Sequence, residues 1–128
     1  MILQESGENY LETILMLQQQ NGSVRSIDIA THMNFTKASV SIAMKKLREN
    51  GYIAVDGEGN LTLLAPGREI AERIYSRHRL LTHFFMQLGV DEKTAAEDAC
   101  KAEHILSEQT LEKIREYALL HDAQDSVK

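Results

Sequence analysis

Residues 36–64, TKASVSIAMKKLRENGYIAVDGEGNLTLL, decide how the chain folds. Thr36 is a suitable N-cap, and the apolar positions Ala38, Val40, Ala43, Met44 and Leu47 predict a helix reaching Asn50. Lys37, Lys45, Lys46 and Arg48 stand against Glu49 alone, so four bases and one acid make the segment locally +3. Beyond Gly51 the chain reads as strand, turn and strand. Tyr52, Ile53 and Val55 lead into Asp56-Gly57-Glu58-Gly59-Asn60, whose glycines suit a hairpin tip, and Leu61, Thr62 and Leu63 return.

Upstream, residues 24–33 read as a shorter helix with Ser23 as N-cap and Val24, Ile27, Ile29, Ala30 and Met33 apolar. Asn34-Phe35 is the turn between the two. A short helix, a tight turn, a basic helix and a hairpin together predict a winged helix-turn-helix. In that motif the second helix enters the major groove through its N-terminal residues. Thr36, Lys37, Ser39 and Ser41 are therefore expected to contact bases or phosphates, in a set that includes Arg25, Ala38, Lys45 and Asn60. The wing tip is acidic, so phosphate repels it, and contact there is expected only through amides or Asn60. Before this module, residues 7–20 predict a helix with a stripe of Tyr10, Leu11, Ile14, Leu15 and Leu17, stopped at Gly22.

Downstream, Ala65-Pro66-Gly67 opens a long helix predicted to reach Leu88, with Gly89-Val90 as its stop. Ser107 caps a final helix over 108–120, and residues 121–128 read as a fraying tail. The expected division is a DNA-binding domain over 1–66 and a helical domain over 67–128. The apolar faces of 66–88 and 108–120 exceed what short helices bury alone, which predicts a homodimer across a two-fold axis.

Between those helices lies EDACKAEH, residues 97–104. At helical spacing Cys100, Glu103 and His104 share a face, and a thiolate, a carboxylate and an imidazole suit a divalent transition metal. A polar helix face with a small buried Cys and a surface His is the competing interpretation. Asn9 and Glu12 are three apart on the first helix and alone read as a solvated face. His78 by itself reads first as a core or surface histidine and only second as a ligand, His32 as a surface or partly buried residue, and His83 and His121 as surface residues.

Composition narrows the classes. Of 128 residues, 43% are hydrophobic and 26% charged, with net charge -5, as in an ordinary soluble domain. The total charge speaks weakly against nucleic acid, but its distribution matters more. One Cys excludes an internal disulfide and fits a reducing cytoplasm. No apolar run is long enough to span a membrane, and the N-terminus lacks the apolar core of a signal peptide. The second half holds no Gly-rich phosphate loop and no nucleophile–base set. A small metal hydrolase is disfavoured because a catalytic metal needs an open position beside a substrate cleft, so neither an enzyme nor a small-molecule substrate is expected.

Taken together, ENYLETILML (8–17), the segment Val24–Leu64, RHRLL (77–81) and AEDACKAEH (96–104) followed by Leu106-Ser107 resemble the diphtheria toxin repressor family of metal-dependent regulators. The similarity is greatest to its short manganese-transport branch and covers Glu8 to Tyr117. It implies a mainly α fold, with an N-terminal winged helix-turn-helix followed by a helical domain for metal binding and dimerisation. It also implies metal-activated binding to a palindromic double-stranded operator, with repression of metal-uptake genes. The longer iron branch adds a C-terminal SH3-like domain, which is not expected here.

By position, Asn9 stands where the manganese branch has Asp and the iron branch Met, and Glu12 matches the manganese branch. His78, Glu103 and His104 match ligands of both branches. Cys100 matches the iron branch, where the manganese branch has a bridging Glu. Thr82 and Ala96 replace the Glu and His of the iron branch's ancillary site. The implied metal set is Asn9, Glu12, Cys100, Glu103 and His104 as one principal site, with His78 expected to anchor a weaker second ion through Glu103. The thiolate favours Fe²⁺, with Mn²⁺ next and Zn²⁺ or Co²⁺ expected to bind in vitro. A Mn²⁺-specific regulator, and a winged-helix regulator whose cluster has no regulatory role, are the alternatives.

Overall fold

The computed structural model describes residues 5–127, with side chains through residue 123. Residues 1–4, on which part of the signal-peptide expectation falls, lie outside the described residues. Six helices and a two-stranded sheet are present among the described residues: α1 (Glu5–Asn21), α2 (Ser26–Met33), α3 (Lys37–Glu49), β1 (Ile53–Val55), β2 (Leu61–Leu63), α4 (Ala65–Gln87), α5 (Glu92–Ala102) and α6 (Glu108–Val127). They form two compact units, residues 1–73 and 74–128.

In the first unit, α1 buries Leu11, Ile14, Leu15 and Leu17. Ile29 and Ala30 of α2, Val40, Met44 and Leu47 of α3, and Ile53, Leu61 and Leu63 of the hairpin are the other buried apolar residues of these elements. Burial of each large side chain contributes roughly 1.5–3 kcal/mol. The strands pair antiparallel with Ile53 opposite Leu63 and Val55 opposite Leu61. The start of α3 is as its sequence predicts, with the Thr36 hydroxyl accepting from the Ser39 amide at 3.1 Å.

The start of α2 differs. It begins at Ser26, with Arg25 as N-cap in extended conformation, and the Asp28 carboxylate accepts from the Arg25 amide at 2.8 Å. Ser23 and Val24 lie before it because Val24 serves the sheet: the Leu61 amide donates to the Val24 carbonyl at 2.8 Å. Arg25 then bridges Asn60 antiparallel, adding a short third segment beside the hairpin. Ile27, expected on the apolar face, is instead 43% exposed.

Asp56 organises the hairpin tip. Its Oδ1 accepts from the amides of Glu58 (2.8 Å) and Asn60 (2.9 Å), and its Oδ2 from the Asn60 side chain at 3.1 Å. The Asn60 amide, then the Asn60 side chain and the Glu58 amide, hold the Asp56 carboxyl below its ordinary pKa. Gly59 supplies the positive φ of 84° that closes the turn. Gly67, near the start of α4, has another purpose: a Cβ there would lie 2.1 Å from the Tyr52 carbonyl oxygen.

In the second unit, Leu81, Ala99 and Leu111 form the buried core, flanked by Leu80, Phe85, Ala102, Leu106 and Ile114. Asp91 caps α5, accepting from the Thr94 amide at 3.0 Å. Ser107 caps α6 as expected, accepting from the Thr110 amide at 3.2 Å. The helix does not stop at Leu120 but continues to Val127. No Gly or Pro interrupts that stretch, and Asp122 is anchored to α4 by His83 Nε2 at 2.9 Å and Gln87 Nε2 at 3.0 Å.

Candidate metal centre and nucleic-acid interface

The EDACKAEH stretch is not one continuous helical face. α5 ends at Ala102, and Glu103 is its C-cap, its amide still donating to the Ala99 carbonyl at 2.9 Å. The Ile105 amide then bonds back only three residues, to Ala102 at 3.1 Å, which tightens the chain into a turn ahead of the Ser107 cap. Glu103 and His104 therefore leave the helix while Cys100 stays on it. Their environments diverge: Cys100 is exposed, Glu103 has no solvent exposure, and the His104 side chain is 3% exposed.

Glu103 lies between two imidazoles. His78 Nδ1, from α4, is 3.0 Å from Glu103 Oε2. His104 Nε2 is 3.3 Å from Oε1, close enough for charge pairing but without hydrogen-bond geometry, so Oε1 is a buried oxygen lacking a donor. A wholly buried carboxylate is costly unless compensated. A ring N–H can donate to such a carboxylate, and imidazole nitrogens and a carboxylate are together a donor set for a divalent cation. The residues present thus fit such an ion.

Arg77, not singled out by sequence, supports this turn. Its Nη1 donates to the Glu103 carbonyl at 3.2 Å, and its guanidinium pairs with the Glu108 carboxylate. Nothing in its spacing signals that contact, which spans 26 residues. Asn9 and Glu12 occur on α1 of the first unit, both half-buried, and the Thr13 hydroxyl donates to the Asn9 carbonyl at 2.8 Å.

Of the residues expected to contact DNA, Thr36, Lys37, Ala38, Ser39, Ser41 and Lys45 are all exposed along the start and outer face of α3. The Thr36 hydroxyl donates to Ser39 Oγ at 2.8 Å, so these two are pre-oriented as a pair. Lys45 has only a loose ion pair with Glu49 at 4.0 Å. Arg25 is exposed, and its Nε is 3.5 Å from Asn60 Oδ1. The Asn60 amide group is thus engaged by Arg25 and Asp56.

Comparison with known proteins covers both units. Residues 2–61 match the family described as "Iron dependent repressor, N-terminal DNA binding domain", and residues 65–120 match "Iron dependent repressor, metal binding and dimerisation domain". An uncharacterized HTH-type transcriptional regulator of Methanocaldococcus jannaschii is 36% identical over 115 residues, 88% of this chain and 92% of that protein. The HTH-type transcriptional regulator MntR of Lysinibacillus sphaericus is 32% identical over 124 residues, 96% of this chain and 89% of that protein. The solved structure of the manganese regulator SloR superposes with a TM-score of 0.76 at 27% identity. It covers 87% of this chain, which spans 52% of the SloR chain.

Proposed function

The chain belongs to the iron-dependent repressor family, and from that premise we propose that it is a metal-activated transcriptional repressor that binds a palindromic operator as a homodimer. The observation that carries the metal half is Glu103, fully buried between His78 and His104. A divalent cation held by this carboxylate and the two imidazoles would offset the buried negative charge. The proposed ligands are His78, Cys100, Glu103 and His104, completed by Asn9 and Glu12 of the first helix. Loading such a set constrains α1, and with it the DNA-reading module, only while the ion is present. The genes controlled are those of metal uptake, since a repressor loaded by abundant metal then limits its entry.

The DNA half rests on α3, whose exposed hydroxyls and lysines present hydrogen-bonding groups and positive charge together. Thr36 and Ser39 face base edges, with Lys37, Ala38 and Ser41 beside them. Lys45, Arg25 and the wing at Asn60 meet phosphate. In a mainly α dimer of this kind, the apolar Leu88, Tyr117, Leu119 and Leu120, all exposed in the single chain, are the surface available to the partner.

Fe²⁺ is the favoured activator if the Cys100 thiolate ligates, with Zn²⁺ and Co²⁺ binding in vitro. Exposed Cys100 beside buried Glu103 and His104 favours a second reading, in which oxygen and nitrogen donors alone hold Mn²⁺. The deciding experiment selects a randomised duplex library with the protein under anaerobic Fe²⁺ or Mn²⁺ and repeats the binding after complete chelation. Enrichment of a palindrome that chelation abolishes supports the proposal. Affinity indifferent to chelation defeats the metal switch.

A further inference from the structure

We infer that Ile42 is a specificity-determining residue that reads the C5-methyl group of a thymine in the major groove. Ile42 is 60% exposed in the middle of α3. The buried side of that helix is Val40, Met44 and Leu47, and Ile42 lies on the opposite side. One turn before it, at i-4, is exposed Ala38, so the two form a short apolar strip along the outer face. Exposed Lys45 and Lys46 come next along the helix, and exposed Ser39 and Ser41 flank the strip. A branched apolar side chain exposed to that extent is outside the buried core of its unit, and isoleucine is a poorer helix former than alanine.

The surroundings choose the occupant. A cationic, hydroxyl-bearing rim around an apolar centre does not match an apolar protein surface, but it matches a polyanionic groove with a methyl group on its floor. Among the four bases only thymine presents a methyl there, and apolar side chains are its partners. Ile42 would therefore discriminate thymine from cytosine and from either purine by contact. The surrounding lysines supply affinity without that discrimination.

This inference rests on the proposed DNA-binding function, and its test separates the two. The probe is the duplex enriched from a randomised library by the metal-loaded protein. Each thymine is replaced in turn by deoxyuridine, which deletes only the methyl. Wild type should lose about four-fold in affinity at one thymine of each half-site, equivalent to roughly 0.8 kcal/mol for one buried methyl group. Ile42→Ala should bind the parent duplex more weakly and be indifferent to deoxyuridine at that thymine. Ile42→Gln should move the preference there toward adenine, whose N6 and N7 a glutamine can pair. An unchanged helical circular dichroism spectrum confirms that each variant is folded, as an exposed site requires. Equal deoxyuridine sensitivity in wild type and Ile42→Ala, or none at any thymine, overturns the role of Ile42 alone. A library that enriches nothing overturns DNA reading and this inference together.

Discussion

The Glu103 carboxylate lies 3.0 Å from the His78 imidazole nitrogen Nδ1, and Glu103 has no contact with solvent. That relationship links α4 to the turn after α5 and places a negative charge where water cannot stabilise it. Glu103→Gln keeps the shape and removes the charge. Metal affinity measured by titration calorimetry should fall by at least about ten- to a hundred-fold, the range seen even when only the supporting shell of a metal site is disturbed. Metal-free variant and metal-free wild type should give matching helical circular dichroism spectra, so that the loss of affinity reads as lost ligation. Undiminished metal affinity would exclude Glu103 as a ligand.

Cys100 can be assigned by spectroscopy. Co²⁺ bound through a thiolate gives a charge-transfer band in the near ultraviolet, and Cys100→Ser should abolish it. If wild type binds Co²⁺ without that band, the exposed thiol is not a ligand and the oxygen and nitrogen set for Mn²⁺ is preferred.

Lys45 is exposed on α3 and only loosely paired with Glu49 at 4.0 Å. Lys45→Ala should weaken the enriched duplex and random duplex alike and lower the salt slope of binding by about one. A loss confined to the enriched sequence would instead make Lys45 a base reader.

Gly67 shows how closely the first turn of α4 approaches the hairpin. An ordinary Gly→Ala change in a helix is stabilising. Here the added Cβ would meet the Tyr52 carbonyl oxygen at 2.1 Å, and backbone cannot rotate away as a side chain can. Gly67→Ala should therefore lower unfolding free energy by about 1–3 kcal/mol, as overpacking does. A denaturation midpoint at or above that of wild type would contradict this close approach.

Asp56 makes a pH prediction. Hydrogen bonds from Asn60 and Glu58 depress its folded pKa below the unfolded value, so its ionised form favours the folded hairpin. That contribution is present above the unfolded carboxyl pKa of about 4 and is lost as pH falls through the lower folded value. Wild type should exceed Asp56→Ala in stability at neutral pH, and the difference should shrink on acidification below about pH 4. A pH-independent difference between the two melting curves would remove ionisation from the account.

Local chemistry was legible in the sequence because it acts over a few residues. The hydroxyls of Thr36 and Ser107 cap the helices they precede, Gly59 closes its hairpin, and the apolar periods of α1 and, apart from exposed Ala38, of α3 match their buried faces. The succession of those elements indicates a winged helix-turn-helix, and the family is legible from the motifs at 8–17, 77–81 and 96–104 taken with it. Tertiary structure decided what periodicity cannot express. Pairing with Leu61 across 37 residues drew Val24 out of α2. The turn after Ala102 separated Glu103 and His104 from exposed Cys100, although all three share a helical spacing. Arg77 reached that turn from α4. Spacing determines which side chains share a face of a regular helix. Where the helix ends, and which side chains lose their water, depends on residues distant in sequence.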